Sequence, residues 1–271
     1  MTALPPVIVL AYPHAGGKRL WSLLNGQPGL ACTSGTGILA LCDQAAATWR
    51  GVEGRQASQL SPLAATATRT LTTTAIITIL ARQGGAQRWC EFATAPPRAA
   101  ETFLQLYPRT RVLCLHRSCT DVIRAALQAD PWGLSGQEYV PFLNAYPAST
   151  AAALTAYWVA RTTSLIAFEE AHPDACMRVR YEDIADDPYV GDVRLFLDMD
   201  PARAGLTDQE TPGEWIPSVG RAYRAPFPAD QVPAPLLAQA DGLARKLGYE
   251  SLTPARQGPA GGEVDAAALA R

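Results

Sequence analysis

Two glycines and two basic residues stand directly after an apolar run near the start of the chain, in VIVLAYPHAGGKRLWSLL (residues 7–24). The apolar run is typical of a buried strand, and a helical pattern follows the loop. Such a loop directs backbone N–H groups and the positive end of a helix toward an anion. Gly16 and Gly17 would let the backbone approach phosphate oxygens, while Lys18 and Arg19 would add charge. A βα turn with basic residues for solubility explains the loop alone equally well.

The same loop partly fits the nucleotide-binding pattern G-x-x-x-x-G-K-[ST]. Gly17 and Lys18 fit the pattern, but Tyr12 replaces its first glycine and Arg19 replaces the hydroxyl that would bind Mg²⁺. A P-loop nucleotide kinase or NTPase is therefore one alternative, and the missing hydroxyl speaks against it.

Short apolar runs alternate with longer helical patterns along most of the chain. Strands are predicted at 6–11, 88–91, 111–116 and 177–181. The first and third runs are continuously apolar, as buried central strands are, whereas the last alternates and suits a strand nearer an edge. Helices are predicted at 96–107, 118–129, 149–171 and 234–247. This alternation predicts an α/β fold, a three-layer αβα domain around a central, mainly parallel sheet.

The domain is expected to span residues 1–254, followed by a loose tail at 255–271 that is rich in Gly, Ala and Pro. Within it, Glu91, His116 with Arg117, and Tyr181 fall at the carboxyl ends of predicted strands. The 12–19 loop falls there too. Ligands of open parallel sheets bind along that edge, so we expect these residues to converge on one crevice.

The composition excludes several classes of protein. A net charge of -2 over 271 residues argues against a nucleic-acid binder. The six scattered cysteines predict reduced thiols, and three distant histidines predict no metal site. The N-terminus does not resemble a signal peptide, and no apolar stretch is expected to reach the length of a membrane span. We therefore expect a cytoplasmic protein with no nucleic-acid or membrane partner, and its oligomeric state stays open.

Four stretches, in the right order, resemble one enzyme family. The loop Tyr12-Pro13-His14-Ala15-Gly16-Gly17-Lys18-Arg19-Leu20 resembles Y-P-K-[SA]-G-[TN]-T-W-L, the 5′-phosphosulfate loop of sulfotransferases that use 3′-phosphoadenosine-5′-phosphosulfate (PAPS). LCLHRSCTDVIRAAL (113–127) is similar to the family segment around R-x-x-x-D, which grips the 3′-phosphate. VRYEDIADDP (179–188) is similar to K-Y-E-D-L-x-x-D-P, whose tyrosine lies near the adenosine. RWCEFATAPPRAAETFLQLYPRTRVLCLHR (88–117) resembles W-x-E-K-T-P…F-P-x-A-R-F-[IV]-x-L-x-R, and Glu91 falls on its glutamate.

This resemblance implies a P-loop-like sulfotransferase fold and transfer of a sulfuryl group from PAPS to a hydroxyl or amine. The product would be 3′-phosphoadenosine-5′-phosphate (PAP), and no metal ion is expected. Residues implied to bind the cofactor are His14, Ala15, Gly16, Gly17, Lys18, Arg19, Arg117, Ala125, Tyr181 and, from a looser match in PSVGRAYRAPF (217–227), Gly220 and Arg221. The acceptor is expected near TSGTGILALC (33–42) and DPWGL (130–134). Their few charges suggest an apolar or aromatic small molecule, such as a bacterial secondary metabolite.

Three positions depart from the family pattern. His14 stands where the family has its catalytic Lys or Arg, Ala15 replaces the following Ser, and Ala125 replaces the Ser eight residues after the arginine. A catalytically impaired, sulfotransferase-like binding protein is therefore a further alternative.

The catalytic candidates are Glu91, His14 and Lys18. Glu91 is the candidate general base, with an ion pair to Arg88 or Arg98 as the structural alternative, and His116 is its rival. Backbone N–H groups of residues 15–19 would stabilise the leaving phosphate. Either His14 becomes protonated beside the cofactor, or Lys18 takes the leaving-group role.

Three further residues have two interpretations each. Arg117 would make a bidentate contact with the 3′-phosphate, or form a salt bridge to Asp121. Tyr181 would contact adenine, or be an edge-strand aromatic. Arg161 interrupts an apolar stripe on the longest helix, so it should pair with Glu182 or Asp183, or face the acceptor.

Overall fold

The computed structural model describes residues 4–52, 60–84, 86–94, 96–129, 137–185, 187–199 and 227–252. These residues contain five strands, all parallel: β1 (Val7–Leu10), β2 (Leu30–Ser34), β3 (Arg88–Ala93), β4 (Arg111–His116) and β5 (Cys176–Arg180). Their order in the sheet is β2-β3-β1-β4-β5. The predicted α/β fold with a parallel sheet is confirmed.

Helices flank this sheet. They are α1 (Gly17–Asn25), α2 (Ile38–Val52), α3 (Pro62–Arg82), α4 (Pro97–Leu106), α5 (Cys119–Ala129), α6 (Val140–Ala145), α7 (Thr150–Ala171), α8 (Asp187–Phe196) and α9 (Ala234–Lys246). Helix α7 packs on β4 and β5, and α2, α3 and α4 contact one another. Short 3₁₀ turns occupy Gln137–Tyr139, Tyr181–Ala185 and Ala229–Gln231.

The central strands are buried because both faces of the sheet are covered. Val7, Ile8 and Val9 are completely inaccessible to solvent, and β1 lies between β3 and β4. In the register of the sheet, Val7 stands opposite both Cys90 and Arg111. The continuous apolar run of β1 is explained by this central position.

The sheet differs from the sequence-based expectation in two respects. Strand β2 was not predicted, because its three buried residues are followed directly by Thr33 and Ser34 and it contains little of the β-branched and aromatic character that marks strands. Strand β3 runs two residues beyond Glu91, so this carboxylate lies inside the strand instead of at its end. Strand β5 is an edge strand, as its alternating pattern indicated.

Helix α3 is long and apolar enough to cross a membrane, by length and composition only. The expectation that no stretch reaches this length was therefore wrong. The helix buries one stripe against the domain, namely Ala64, Thr68, Thr72, Ile76 and Leu80. Core helices of soluble proteins have the same length and composition.

Candidate active site

The loop between β1 and α1 presents free backbone donors at the carboxyl edge of the sheet. Gly16 caps α1 with φ of 94°, in the left-handed region that favours glycine. The N–H of Ala15 donates to the carbonyl of Tyr12, and that of Arg19 donates to the carbonyl of Gly16. In the described part of the chain, the N–H groups of Gly16, Gly17 and Lys18 have no acceptor. The free donors are thus fewer than the five that the sequence suggested, and they lie at the start of the helix.

The ring of Tyr181 lies directly against this loop. A Cβ atom built on Gly16 would overlap Cδ2 of Tyr181, so no larger residue fits there. Tyr181 follows β5 and begins a 3₁₀ turn, which means that it is not an edge-strand aromatic. The guanidinium of Arg117 stands 4.3 Å from the ring centroid, and that of Arg19 stands 5.6 Å from it. The Tyr181 ring therefore contacts the glycine loop and lies near the guanidinium groups of Arg117 and Arg19.

Arg117 is held beside the loop by its neighbours. Its Nη1 donates to the carbonyl of His14 at 2.9 Å, while its own carbonyl accepts a bond from Nε1 of Trp158 at 3.0 Å. The alternative salt bridge to Asp121 is wrong, since Asp121 pairs with Arg124 at 3.2 Å. The buried Nε of Arg117 has no hydrogen-bond partner among the described residues. A guanidinium that has no carboxylate partner among the described residues fits an anionic ligand in this position.

A cavity of about 590 Å³ opens on one side of the loop. This volume lies within the usual range for small-molecule sites. The rings of Trp21 and Phe92, 4.9 Å apart, form part of its wall. His14, Lys18 and the phenol of Tyr12 contribute the charged or titratable groups of the lining. Ser34, from the stretch 33–42, also lines the cavity.

His14 occupies an unusual position in this wall. It has φ of 66°, which is uncommon for a residue with a side chain, and its ring stacks near Tyr139 with centroids 6.4 Å apart. Burial lowers the pKa of His14 below its ordinary value of 6.5, and the charge of Arg117 lowers it further, against an opposing effect of Glu138. The imidazole of the free protein is therefore neutral near pH 7.

Glu91, the candidate base, has both carboxylate oxygens engaged. Oε2 accepts a bond from the hydroxyl of Thr33 at 2.6 Å, and Oε1 accepts from the N–H and the hydroxyl of Thr36, both at 3.0 Å. Only 3 % of Glu91 is exposed, and it is not among the residues that line the cavity. In this structure Glu91 fixes the loop after β2.

The expected ion pairs of Glu91 are wrong. Arg88 donates to the carbonyls of Pro5 and Leu197, and Arg98 lies 3.8 Å from Asp43. The hydroxyl of Thr33 accepts a further bond from Nε1 of Trp89. Sequence reasoning could not find these partners, because hydroxyl groups carry no pairing signal across more than 50 residues of chain.

His116, the rival base, is fully buried in a structural network. Its Nε2 lies 2.6 Å from Oε1 of Glu169, whose second oxygen accepts two bonds from Arg178. Burial alone would raise the pKa of Glu169, but the hydrogen bonds and charges of His116 and Arg178 outweigh it and lower this pKa. The network anchors the end of β4 directly before Arg117.

Arg161 does not have the partners expected for it. Glu182 accepts bonds from the N–H of Ser118 and the hydroxyl of Tyr249, and Asp183 lies 3.6 Å from Arg180. The guanidinium of Arg161 instead stands 5.4 Å from the ring centroid of Tyr157.

Several predicted residues stay outside this description. Gly220, Arg221 and the 130–134 stretch lie outside the described residues. Ala125 is a half-buried position of α5 with no polar group to offer. Within the described ranges, no group of three or more His, Cys, Asp or Glu side chains could hold a metal ion.

Trp21 and Tyr139 lie at the site but were not predicted from the sequence. Trp21 lies one helical turn after Gly17, and this spacing is the signal that could have revealed it.

Comparisons with known proteins agree with this architecture. Three solved structures share the fold at low sequence identity. The sulfotransferase domain of the Synechococcus PCC 7002 olefin synthase has a TM-score of 0.54 and 18 % identity, and the match covers 93 % of this chain and 97 % of that chain. A sulfotransferase from Alicyclobacillus acidocaldarius has a TM-score of 0.52 and 15 % identity, with 92 % of this chain and 97 % of that chain covered. A sulfotransferase from Mycobacterium avium has a TM-score of 0.52 and 13 % identity, with 94 % of this chain and 79 % of that chain covered. No curated protein matches the chain.

The sequence itself carries a family match as well. The profile described as the sulfotransferase family matches residues 5–193, more than half of the chain, and this range includes β1 to β5, the glycine loop, Arg117 and Tyr181. The chain belongs to the sulfotransferase family.

Proposed function

We propose that the protein transfers a sulfuryl group from PAPS to a hydroxyl or amine of a small-molecule acceptor. The observation that carries this proposal is the position of Arg117. Its guanidinium bonds the carbonyl of His14 and shares the ring of Tyr181 with Gly16. The Arg117 guanidinium and the amides at the start of α1 thus lie beside the same aromatic ring. This arrangement suits the two phosphate groups of one nucleotide.

In this proposal each group of the loop has a separate role. The N–H groups of Gly17 and Lys18, with the ammonium of Lys18, bind the 5′-phosphosulfate, and Arg117 binds the 3′-phosphate. Tyr181 contacts the adenosine. When bound, PAPS supplies an activated sulfuryl group whose bond to the 5′-phosphate breaks as the acceptor oxygen or nitrogen attacks sulfur. The loop donors act on the negative charge that then builds on the phosphate.

The proton of the acceptor needs a base that faces the cavity. His14 lines the cavity and is neutral in the free protein, whereas both oxygens of Glu91 are engaged elsewhere. We therefore assign proton acceptance to His14 and stabilisation of the leaving phosphate to Lys18. This assignment explains how a histidine serves at a position where the family has Lys or Arg.

The transfer itself is tested by incubating the protein with PAPS and a panel of simple phenols and amines in the presence of EDTA. We expect PAP to form together with a sulfated product, and a Lys18→Met variant to lose most of this activity. Tight binding of PAP with no transfer to any acceptor would instead favour the impaired binding protein.

The pH dependence of kcat/KM distinguishes the two roles of His14. As a base it must be neutral, so kcat/KM should fall as the pH drops through its lowered pKa, below about 6.5. A cationic, lysine-like His14 would give the opposite slope, with activity lost as the pH rises. His14→Gln should lower kcat/KM by roughly 10²- to 10⁴-fold and remove the fall of kcat/KM at low pH. His172→Gln, at the end of α7, is the control, and its kcat/KM should still fall at low pH.

A Glu91→Gln variant tests whether Glu91 positions the loop or accepts the proton. We expect the free energy of unfolding to fall by about 1 to 3 kcal/mol, because buried bonds to Thr33 and Thr36 are disturbed. The transfer rate should stay within roughly tenfold of the wild type. A loss of 10² or more in kcat with unchanged stability, the typical effect of removing a general base, would restore Glu91 as the catalyst.

A further inference from the structure

Arg161 is a charged residue with no assigned role beside the cavity. It lies on α7 among the buried residues Leu154, Trp158, Leu165 and Phe168. Its Nε is inaccessible to solvent. Among the residues that the structure describes, this atom has no hydrogen-bond partner, and no carboxylate forms an ion pair with the guanidinium. A half-buried cation without an anion is costly, which suggests that a ligand supplies the anion.

The position of Arg161 connects it with the acceptor cavity. It lines a small hollow of about 20 Å³, whose wall also contains Ala11, Tyr12 and Thr94. These three residues line the large cavity as well, so the two spaces share a wall. A volume of this size holds about one water molecule or one oxygen atom of a carboxylate.

Within the described ranges, one competing anion lies near Arg161. Glu138 is close enough for its charge to influence the side chains of His14, Tyr139 and Tyr157, but it forms no ion pair with Arg161. Beneath the guanidinium lies the ring of Tyr157, at 5.4 Å. The ring and the hydroxyl of Tyr157 can stabilise the cation, but neither of them supplies an anion.

We propose that Arg161 binds a carboxylate of the acceptor, which makes the acceptor an aromatic hydroxy acid. This inference rests on the proposed sulfuryl transfer. The aromatic body occupies the large cavity beside Trp21 and Phe92, the hydroxyl faces His14 and the loop, and the carboxylate reaches toward the small hollow. Arg161 is then a specificity-determining residue of the acceptor site.

Two phenols of nearly equal shape test this assignment, 3-(4-hydroxyphenyl)propionate and the neutral 4-propylphenol. Binding of each is measured by calorimetry to the full chain saturated with PAP, in the wild type, in Arg161→Met and in Glu138→Gln. Methionine keeps the apolar stem and removes the charge. We expect the wild type to bind the carboxylate at least about tenfold more tightly than the neutral phenol, Arg161→Met to abolish this preference, and Glu138→Gln to keep it.

The result that overturns the proposal is equal or weaker binding of the carboxylate by the wild type, including no binding of either phenol. An equal loss for both phenols in Arg161→Met overturns it too, since a purely structural arginine would act in that way. Failure of the proposed function is seen separately, in a first titration with PAP alone. A protein that does not bind PAP fails there, before either phenol is added.

Discussion

Replacing Gly16 with alanine should weaken the binding of PAP by at least about 100-fold. A residue with a side chain at φ of 94° costs roughly 1 to 2 kcal/mol, and the new Cβ would overlap the ring of Tyr181. The ring must move, and with it the surface against which Arg117 packs. Isothermal titration of PAP into the variant measures the loss, and a 100-fold weaker affinity corresponds to about 2.8 kcal/mol of binding free energy.

Gly26→Ala at the other end of α1 is the matched control. Gly26 has φ of -75°, and a Cβ there would meet only ordinary contacts, 3.6 Å from the carbonyl of Ser22. This variant should bind PAP like the wild type. Binding of PAP by Gly16→Ala within threefold of the wild type would show that the loop does not hold the nucleotide.

Arg117→Met should reduce the affinity for PAP by about 30- to 1,000-fold, the usual cost of removing one member of a buried charge pair. The same change should reduce the affinity for 5′-AMP far less, because AMP lacks the 3′-phosphate that Arg117 is proposed to bind. The ratio of the two affinities separates a lost phosphate contact from a disturbed loop, since the loss of the bond to the His14 carbonyl would weaken both ligands alike.

The control for Arg117 is an arginine at the opposite end of the same strand. Arg111 begins β4 and bonds the carbonyl of Asp174, so Arg111→Met should leave both affinities unchanged. If Arg117→Met weakened PAP and AMP by the same factor, the assignment of the 3′-phosphate to Arg117 would be wrong.

The sequence predicted the architecture because that architecture depends on local patterns. β1 and β4 are continuously apolar since both faces of the sheet are covered, and their boundaries were found to within a residue or two. β2 was missed because an edge strand of five residues buries only Leu30, Ala31 and Cys32. Patterns of this length do not separate a short strand from a loop.

The candidate site was predictable only where a residue's backbone position decides its role. Gly16 and Arg117 converge because both follow buried parallel strands, which the apolar runs marked. The partners of Glu91 and Arg161 depend on side chains from distant segments, so their roles had to come from the three-dimensional structure. Glu91 is a case in point, since the extension of β3 by two residues placed it away from the predicted edge.

The proposal that one nucleotide bridges the glycine loop and Arg117 is tested most directly by unfolding midpoints with PAP, 5′-AMP, or ATP with Mg²⁺. At 100 times its Kd, a ligand stabilises the folded protein by about 2.7 kcal/mol. We expect PAP to raise the midpoint strongly, AMP to raise it weakly, and ATP with Mg²⁺ to leave it nearly unchanged. Equal shifts with PAP and AMP, or a larger shift with ATP and Mg²⁺, would contradict the account.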